Sequence, residues 1–203
     1  MRDRMIAGGL FGLGLAVLGG FALLQTGGPA DAQAQDGPGP NLVIEVAGEA
    51  SGRIVIDLRD DLAPAHVERI TTLAEQGAYD DVVFHRVIEG FMAQTGDVAF
   101  GRQGGDLSRA GMGGSDLPDL QAEFSRVPFE RGTVGMARSM SPNSANSQFF
   151  IMFAPAPHLN GEYTVVGQVI EGMEVVDAIR RGNARAGGSV ENPDRMVSVT
   201  VER

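Results

Sequence analysis

At 203 residues the chain is long enough for one domain with additions, and its 43% hydrophobic content supplies a proper core. A formal net charge of −10, from 26 acidic and 16 basic residues, argues against nucleic-acid phosphates as partners, which need a basic footprint. All 16 basic residues are arginine and cysteine is absent, which removes Schiff-base and P-loop lysines, thiolate nucleophiles, disulfides and thiolate metal sites.

From the amino end, Arg2 and Arg4 precede an uncharged apolar run from Met5 to Leu24. Polar, Gly/Pro-rich sequence follows, with the small-residue pairs Ala30-Asp31-Ala32 and Ala32-Gln33-Ala34. That order describes a secretory signal peptide over residues 1–34, cleaved after Ala32 or Ala34. The run is also about as long as a bilayer-spanning helix, so an uncleaved anchor is the competing reading. Its six glycines weaken a stable span, and without cysteine a lipoprotein anchor is excluded. Either way the remainder is expected to be exported. In a two-membrane bacterium that means the periplasm, with the protein free or anchored facing it. Residues 35–40 read as a linker, and 41–203 as the folded domain.

Alternation predicts strands at 42–47 and 53–58, joined by the hairpin turn GEASG. The period then changes over 64–79. Pro64 suits a first helical turn, Val67, Ile70, Leu73 and Ala74 share one face, and Gly77 is the stop signal. Strand-like segments follow at 82–88, 91–94, 133–137, 148–153 and 164–170, with a short helix at 172–181 and a last strand at 196–201. A Gly-rich stretch, 101–124, has no clear period, and a long irregular loop in a small domain is more often functional than idle. Many short strands with two helices predict an antiparallel barrel or sandwich capped by helices.

The segment FHRVIEGFMAQTGD, residues 84–97, is unusual within this pattern. Strict alternation over 82–88 sets Arg86 on one face with Val82, Phe84 and Ile88, and His85 on the other. Phe91, Met92 and Gln94 follow after a bend at Gly90. Taken singly, each residue has an ordinary reading: a snorkelling arginine paired with a carboxylate, core Phe and Met, a hydrogen-bonded core histidine at His85, a plain strand residue at Gln148. His66, His85 and His158 lack zinc-site spacing, and no H-E-x-x-H or G-x-S-x-G motif is present. Nothing announces a nucleophile.

Taken together, the residues point elsewhere. FHRVIEGFMAQTGD, then GMAR at 135–138, PNSANSQFFI at 142–151 and HLNGEYTVVGQV at 158–169 closely resemble the cyclophilin family of peptidyl-prolyl cis–trans isomerases. The resemblance covers residues 41–203. It implies a closed eight-stranded antiparallel β-barrel capped by two α-helices, with the proline site on the outer surface. Arg86 matches the family's catalytic arginine, with Gln94 beside it. Phe91, Met92, Phe150 and Leu159 match the proline pocket, and Gln148 matches a polar contact. Ala137 and Arg138 match an edge whose backbone holds the extended peptide. The resemblance implies proline-containing polypeptides as partners, no cofactor and no metal, and a monomer is expected. His158 stands where many cyclophilins have a pocket tryptophan, and Tyr163 where many have a histidine. The first departure implies weak cyclosporin binding.

An arginine suits this chemistry. Rotation about an Xaa-Pro bond faces a barrier of about 18–20 kcal/mol, although the isomers differ by only about 0.5–1 kcal/mol. Twisting returns a lone pair to the prolyl nitrogen, and a permanently charged donor favours that state over either planar one. Two other readings stay open. One is a proline-binding chaperone or scaffold with little turnover, and the other is an envelope interaction protein using 101–124.

Overall fold

The computed structural model describes residues 35–203; the expected leader, with its cleavage sites or anchor, lies outside them. The elements run β1 (Asn41–Ala47), β2 (Gly52–Leu58), α1 (Pro64–Glu75), β3 (Val82–Val83), β4 (Arg86–Ile88), β5 (Met92–Thr95), β6 (Thr133–Met136), β7 (Phe149–Met152), β8 (Val165–Glu171), α2 (Met173–Ala178) and β9 (Arg195–Glu202). Their order and type follow the alternation and periodicity of the sequence. Single 3-10 turns lie at Leu107–Arg109, Pro157–Leu159 and Ala184–Ala186.

All pairings are antiparallel and form one curled sheet of nine strands, in the order β3-β9-β1-β2-β8-β6-β7-β5-β4. This corrects the expected closed ring of eight. The ladder is open, and its two edge strands, β3 and β4, are consecutive in the chain with only Phe84 and His85 between them. The expected single strand 82–88 is therefore two strands at opposite ends of the sheet.

The concave side is an apolar core. Leu42, Ile44, Ile54, Ile56, Phe84, Phe149 and Ile151 fill it, together with Val67, Ile70 and Leu73 from the apolar stripe of α1. α1 ends as the stop signal predicts: the helix runs to Glu75, and Gly77 with φ 65° turns the chain away. Its amino end has no local side-chain cap. The Glu123 carboxylate, arriving from the long loop, accepts the Ala65 and His66 backbone N–H groups and the His66 ring Nδ1–H. A negative charge there meets the helix dipole and two unsatisfied donors. Burial by itself raises the Glu123 pKa, but these hydrogen bonds together hold it below the ordinary glutamate value.

The loop 101–124 is bound down rather than loose. Asp97, fully buried, accepts the backbone N–H groups of Ala99, Phe100, Gly111 and Gly113. Asn146 accepts from Ser115 and donates to Leu117 O, while Arg69 of α1 donates to Pro118 O at 2.7 Å. Among the described residues no helix is long and apolar enough to cross a membrane.

Candidate active site

Alternation gives β5 and β7 two different faces. Ala93, Thr95, Phe149 and Ile151 point inward, whereas Met92, Phe150 and Met152 belong to a second apolar cluster outside the sheet. The register lines up one outer row across four strands: Arg86 faces Gln94, Gln94 faces Phe150, and Phe150 faces Gly135. The next row sets Ile88, Met92 and Met152 side by side. A polar end and an apolar end thus share a single rung of the sheet.

The apolar end is held rigidly. Phe150 stacks on Phe129 with ring centres 5.7 Å apart and meets Tyr163 edge-on at 5.8 Å. Gly135 is obligatory beneath that stack, because a Cβ there would lie 2.6 Å from both phenylalanine rings. Leu159 closes the floor from the 3-10 turn Pro157–Leu159. Phe91 and His158 face each other at 5.8 Å on the rim.

The polar end is a relay. Arg86 Nη1 donates to Gln94 Oε1 at 3.1 Å, Gln94 Nε2 donates to Gln148 Oε1 at 2.9 Å, and Gln148 Nε2 donates to the Gly113 carbonyl at 2.7 Å. On the other side Arg86 Nε donates to the Gly187 carbonyl at 3.0 Å. Both acceptors are neutral, and among the described residues Arg86 makes no ion pair, so its charge is undiminished. Its remaining N–H groups are unengaged by the protein.

These groups surround a cavity of about 270 Å³ lined by Arg86, Phe91, Met92, Gln94, Ala137, Arg138, Phe150, His158, Leu159 and Tyr163. Every site residue expected from the sequence lines it except Gln148. That glutamine stands one step back, steadying Gln94 and lining an adjoining cavity of about 360 Å³ with Gly113 and Ser139. Gln94, Ala137 and Arg138 line both cavities. The Arg138 guanidinium lies 4.4 Å over the Tyr163 ring and donates to the carbonyls of Glu162 and Ser139. It clamps the loop after β6 to the loop before β8.

A model of the cyclophilin type peptidyl-prolyl cis-trans isomerase family matches residues 42–201. This chain belongs to the cyclophilins. A probable peptidyl-prolyl cis-trans isomerase of Brucella suis is 53% identical over 184 residues, covering 90% of this chain and 92% of the relative. Among solved structures, the cyclophilin AquaCyp293 of Hirschia baltica superposes with a TM-score of 0.66 at 27% identity, over 81% of this chain and 74% of that one. A Cryptosporidium parvum cyclophilin type peptidyl-prolyl cis-trans isomerase, solved in the presence of dipeptide ala-pro, gives 0.68 at 24% identity, over 80% of this chain and 99% of that one.

Two local expectations change in this cyclophilin. Arg86 does not share a face with Val82 and Phe84, which are in the inner core together with Val87. The break at Phe84–His85 shifts the alternation, so Arg86 and Ile88 emerge on the outer face. His85 is buried as the expected core histidine, but its hydrogen bonding is weaker than expected: the Val83 backbone and the Gln148 side chain come near it without a well-formed bond to either ring nitrogen. Burial pushes its pKa below the ordinary histidine value, against the pull of the Asp97 carboxylate. Phe129 and the Gly187 and Gly113 carbonyls were not expected. Phe129 follows Val-Pro in an irregular stretch, and a carbonyl leaves no mark on residue identity.

Proposed function

We propose that this cyclophilin speeds rotation about Xaa-Pro bonds in exported proteins, with Arg86 as the catalytic residue. The observation that carries this reading is the Arg86 guanidinium, fully charged, fixed by two neutral acceptors, and set beside a rigid apolar floor. No bond is made or broken, so a catalyst needs only to hold the twisted amide better than either planar form.

The geometry divides that task. Phe91, Met92, Phe150 and Leu159 hold the proline ring, while the carbonyl that precedes it turns. As conjugation is lost, the prolyl nitrogen gains a lone pair, and a free Arg86 N–H donates to it. Donors already aimed at developing charge need no reorganisation during the step. Gln94 holds the guanidinium from one side and, through Gln148, ties it to the loop at Gly113. Ala137 and Arg138 offer the edge along which the extended peptide lies, and His158 and Tyr163 shape the rim.

Export rests on the sequence of residues 1–34: an arginine-flanked start, an apolar run and paired A-x-A sites. A cysteine-free chain also suits an oxidising compartment. Purification from the periplasmic fraction, with amino-terminal sequencing, is expected to show a chain starting at Gln33 or Gln35. An intact Met1 in the membrane fraction would establish an anchor instead.

Exchange spectroscopy by NMR on a short Ala-Pro peptide tests the activity, because it reads isomerisation without a coupled protease. Catalytic amounts of protein are expected to raise the exchange rate well above the uncatalysed one. Binding of the peptide without faster exchange would leave a proline-binding module.

A further inference from the structure

The hydrogen bond from Arg86 Nε to the Gly187 carbonyl is not explained by the fold alone. Gly187 lies 101 residues along the chain from Arg86, in a short excursion between α2 and β9. This excursion covers the free edge of β4. Val87 N–H donates to Gly188 O at 2.8 Å, Gly182 N–H to Val87 O at 2.9 Å, and Val190 N–H to His85 O at 3.2 Å. An edge strand needs such cover, but the cover itself does not require a carbonyl aimed at a side chain.

We propose that the turn 183–189 is a positioning element for Arg86, with the Gly187 carbonyl as the second anchor of its guanidinium. This inference rests on the catalytic role given to Arg86 above. With Gln94 alone, the guanidinium is held at Nη1 and swings about that point. A second acceptor at Nε, on a different edge of the planar group, fixes both its plane and its direction. A long, rotamer-rich side chain is then ordered before the substrate arrives, as electrostatic preorganisation requires. A carboxylate would also hold it but would cancel the charge that the twisted amide needs. A backbone carbonyl holds it and leaves the charge intact.

The turn is built to aim that carbonyl. Asn183 Oδ1 accepts from Arg185 N–H at 2.9 Å, the Asn183 carbonyl accepts from Ala186 and Gly188 N–H at 2.9 Å each, and Asn183 N–H donates to Ser189 O at 2.9 Å. Gly187 then takes φ 65° and ψ 22°, a left-handed conformation that side chains disfavour. Nothing lies within 4 Å of where its Cβ would be, so alanine there strains the backbone without a clash. Gly188 differs, since its Cβ would meet Ile88 Cγ1 at 2.5 Å. Gly187 is therefore the clean position to perturb.

The test is a double-mutant cycle of Gly187→Ala with Arg86→Lys, read as kcat and KM for a short Ala-Pro peptide by NMR exchange. In the Arg86 protein, Gly187→Ala is expected to lower kcat roughly tenfold, the scale of a displaced catalytic group, with KM nearly unchanged. The Arg86 Nε–H signal should lose its protection from solvent exchange. In the Arg86→Lys protein the same change should have no further effect, because lysine has no Nε–H to anchor. Asn183→Ala should mimic Gly187→Ala, and Asn183→Asp, which keeps an acceptor at Oδ1, should restore kcat. An equal loss in both backgrounds overturns the proposal, as does an unchanged kcat after the Nε–H signal has lost protection. An Arg86→Lys protein as fast as the unaltered one removes the catalytic role of Arg86 itself, and this proposal with it.

Discussion

The two faces of β5 and β7 are both apolar but belong to different clusters. On the inner face Ala93, Phe149 and Ile151 are sealed by α1 and the curl of the sheet. On the outer face Met92, Phe150 and Met152 form a smaller cluster that leaves an open cavity bordered by Arg86. The inner cluster is complete without a partner. The outer one is buried by its own aromatic contacts, with Phe129 and Leu159 packed over it, yet leaves an open cavity beside them, which the proposed function fills with a proline ring. On the proposed reading the same two strands stabilise the fold on one side and present the site on the other, with neighbouring residues carrying out the two tasks.

Adjacent substitutions separate the two faces most directly. Ile151→Ala is expected to lower unfolding stability by about 2–5 kcal/mol, since it leaves a cavity in a close-packed core. Its kcat and KM per folded molecule should stay the same. Phe150→Ala, one residue away, should raise KM for a proline peptide by about tenfold or more, on the scale of losing a buried aromatic contact. Denaturant titration and exchange kinetics on both variants check this. A similar rise in KM for Ile151→Ala would mean the faces are not separable.

A smaller effect is expected where the long loop grips α1. The Glu123 carboxylate has a lowered folded pKa, so its contribution is complete above the ordinary glutamate value near 4.5 and fades as pH falls through the lowered one. The melting-temperature gap between the unaltered protein and Glu123→Gln should therefore be widest near neutral pH and close on acidification. A constant gap would remove the charge from the explanation. His85 acts in the same direction on the whole molecule: buried and neutral, it adds stability above the ordinary histidine value that is lost as pH falls through its depressed one.

The rim offers the smallest change. His158 pairs with Phe91, and the expected match sets it where many cyclophilins carry tryptophan; if that match holds, His158→Trp should strengthen cyclosporin binding several-fold while leaving isomerase kinetics near those of the unaltered protein. A binding titration without any gain would place His158 outside that contact.

Much of this was legible in residue order. Periods of two and of 3.6 are local properties, so strands and helices could be read off directly, and Pro64 and Gly77 marked both ends of α1. The motifs at 84–97 and 142–151 carried the side chains that line the cavity. What could not be read depends on distant pairing. Alternation runs unbroken through Phe84 and His85, so nothing there announced that the chain leaves one edge of the sheet and enters the other. That jump also moved Arg86 from the inner face to the outer one. The loop 101–124 looked free because its glycines have no period, yet Asp97, Asn146, Arg69 and Glu123 fasten it from outside or from its end. The carbonyls of Gly187 and Gly113 act through backbone atoms common to every residue.

On the proposed reading the outer row separates holding from turning: Phe150 holds proline and Arg86 turns the bond. One titration decides it, following Ala-Pro peptide affinity and exchange rate at saturation for the unaltered protein, Arg86→Ala and Phe150→Ala. Arg86→Ala is expected still to bind the peptide but to lose at least about tenfold in saturated rate, the scale of a lost charge-directed donor. Phe150→Ala should bind weakly and turn over what it binds. A folded Arg86→Ala protein with an undiminished saturated rate would contradict it.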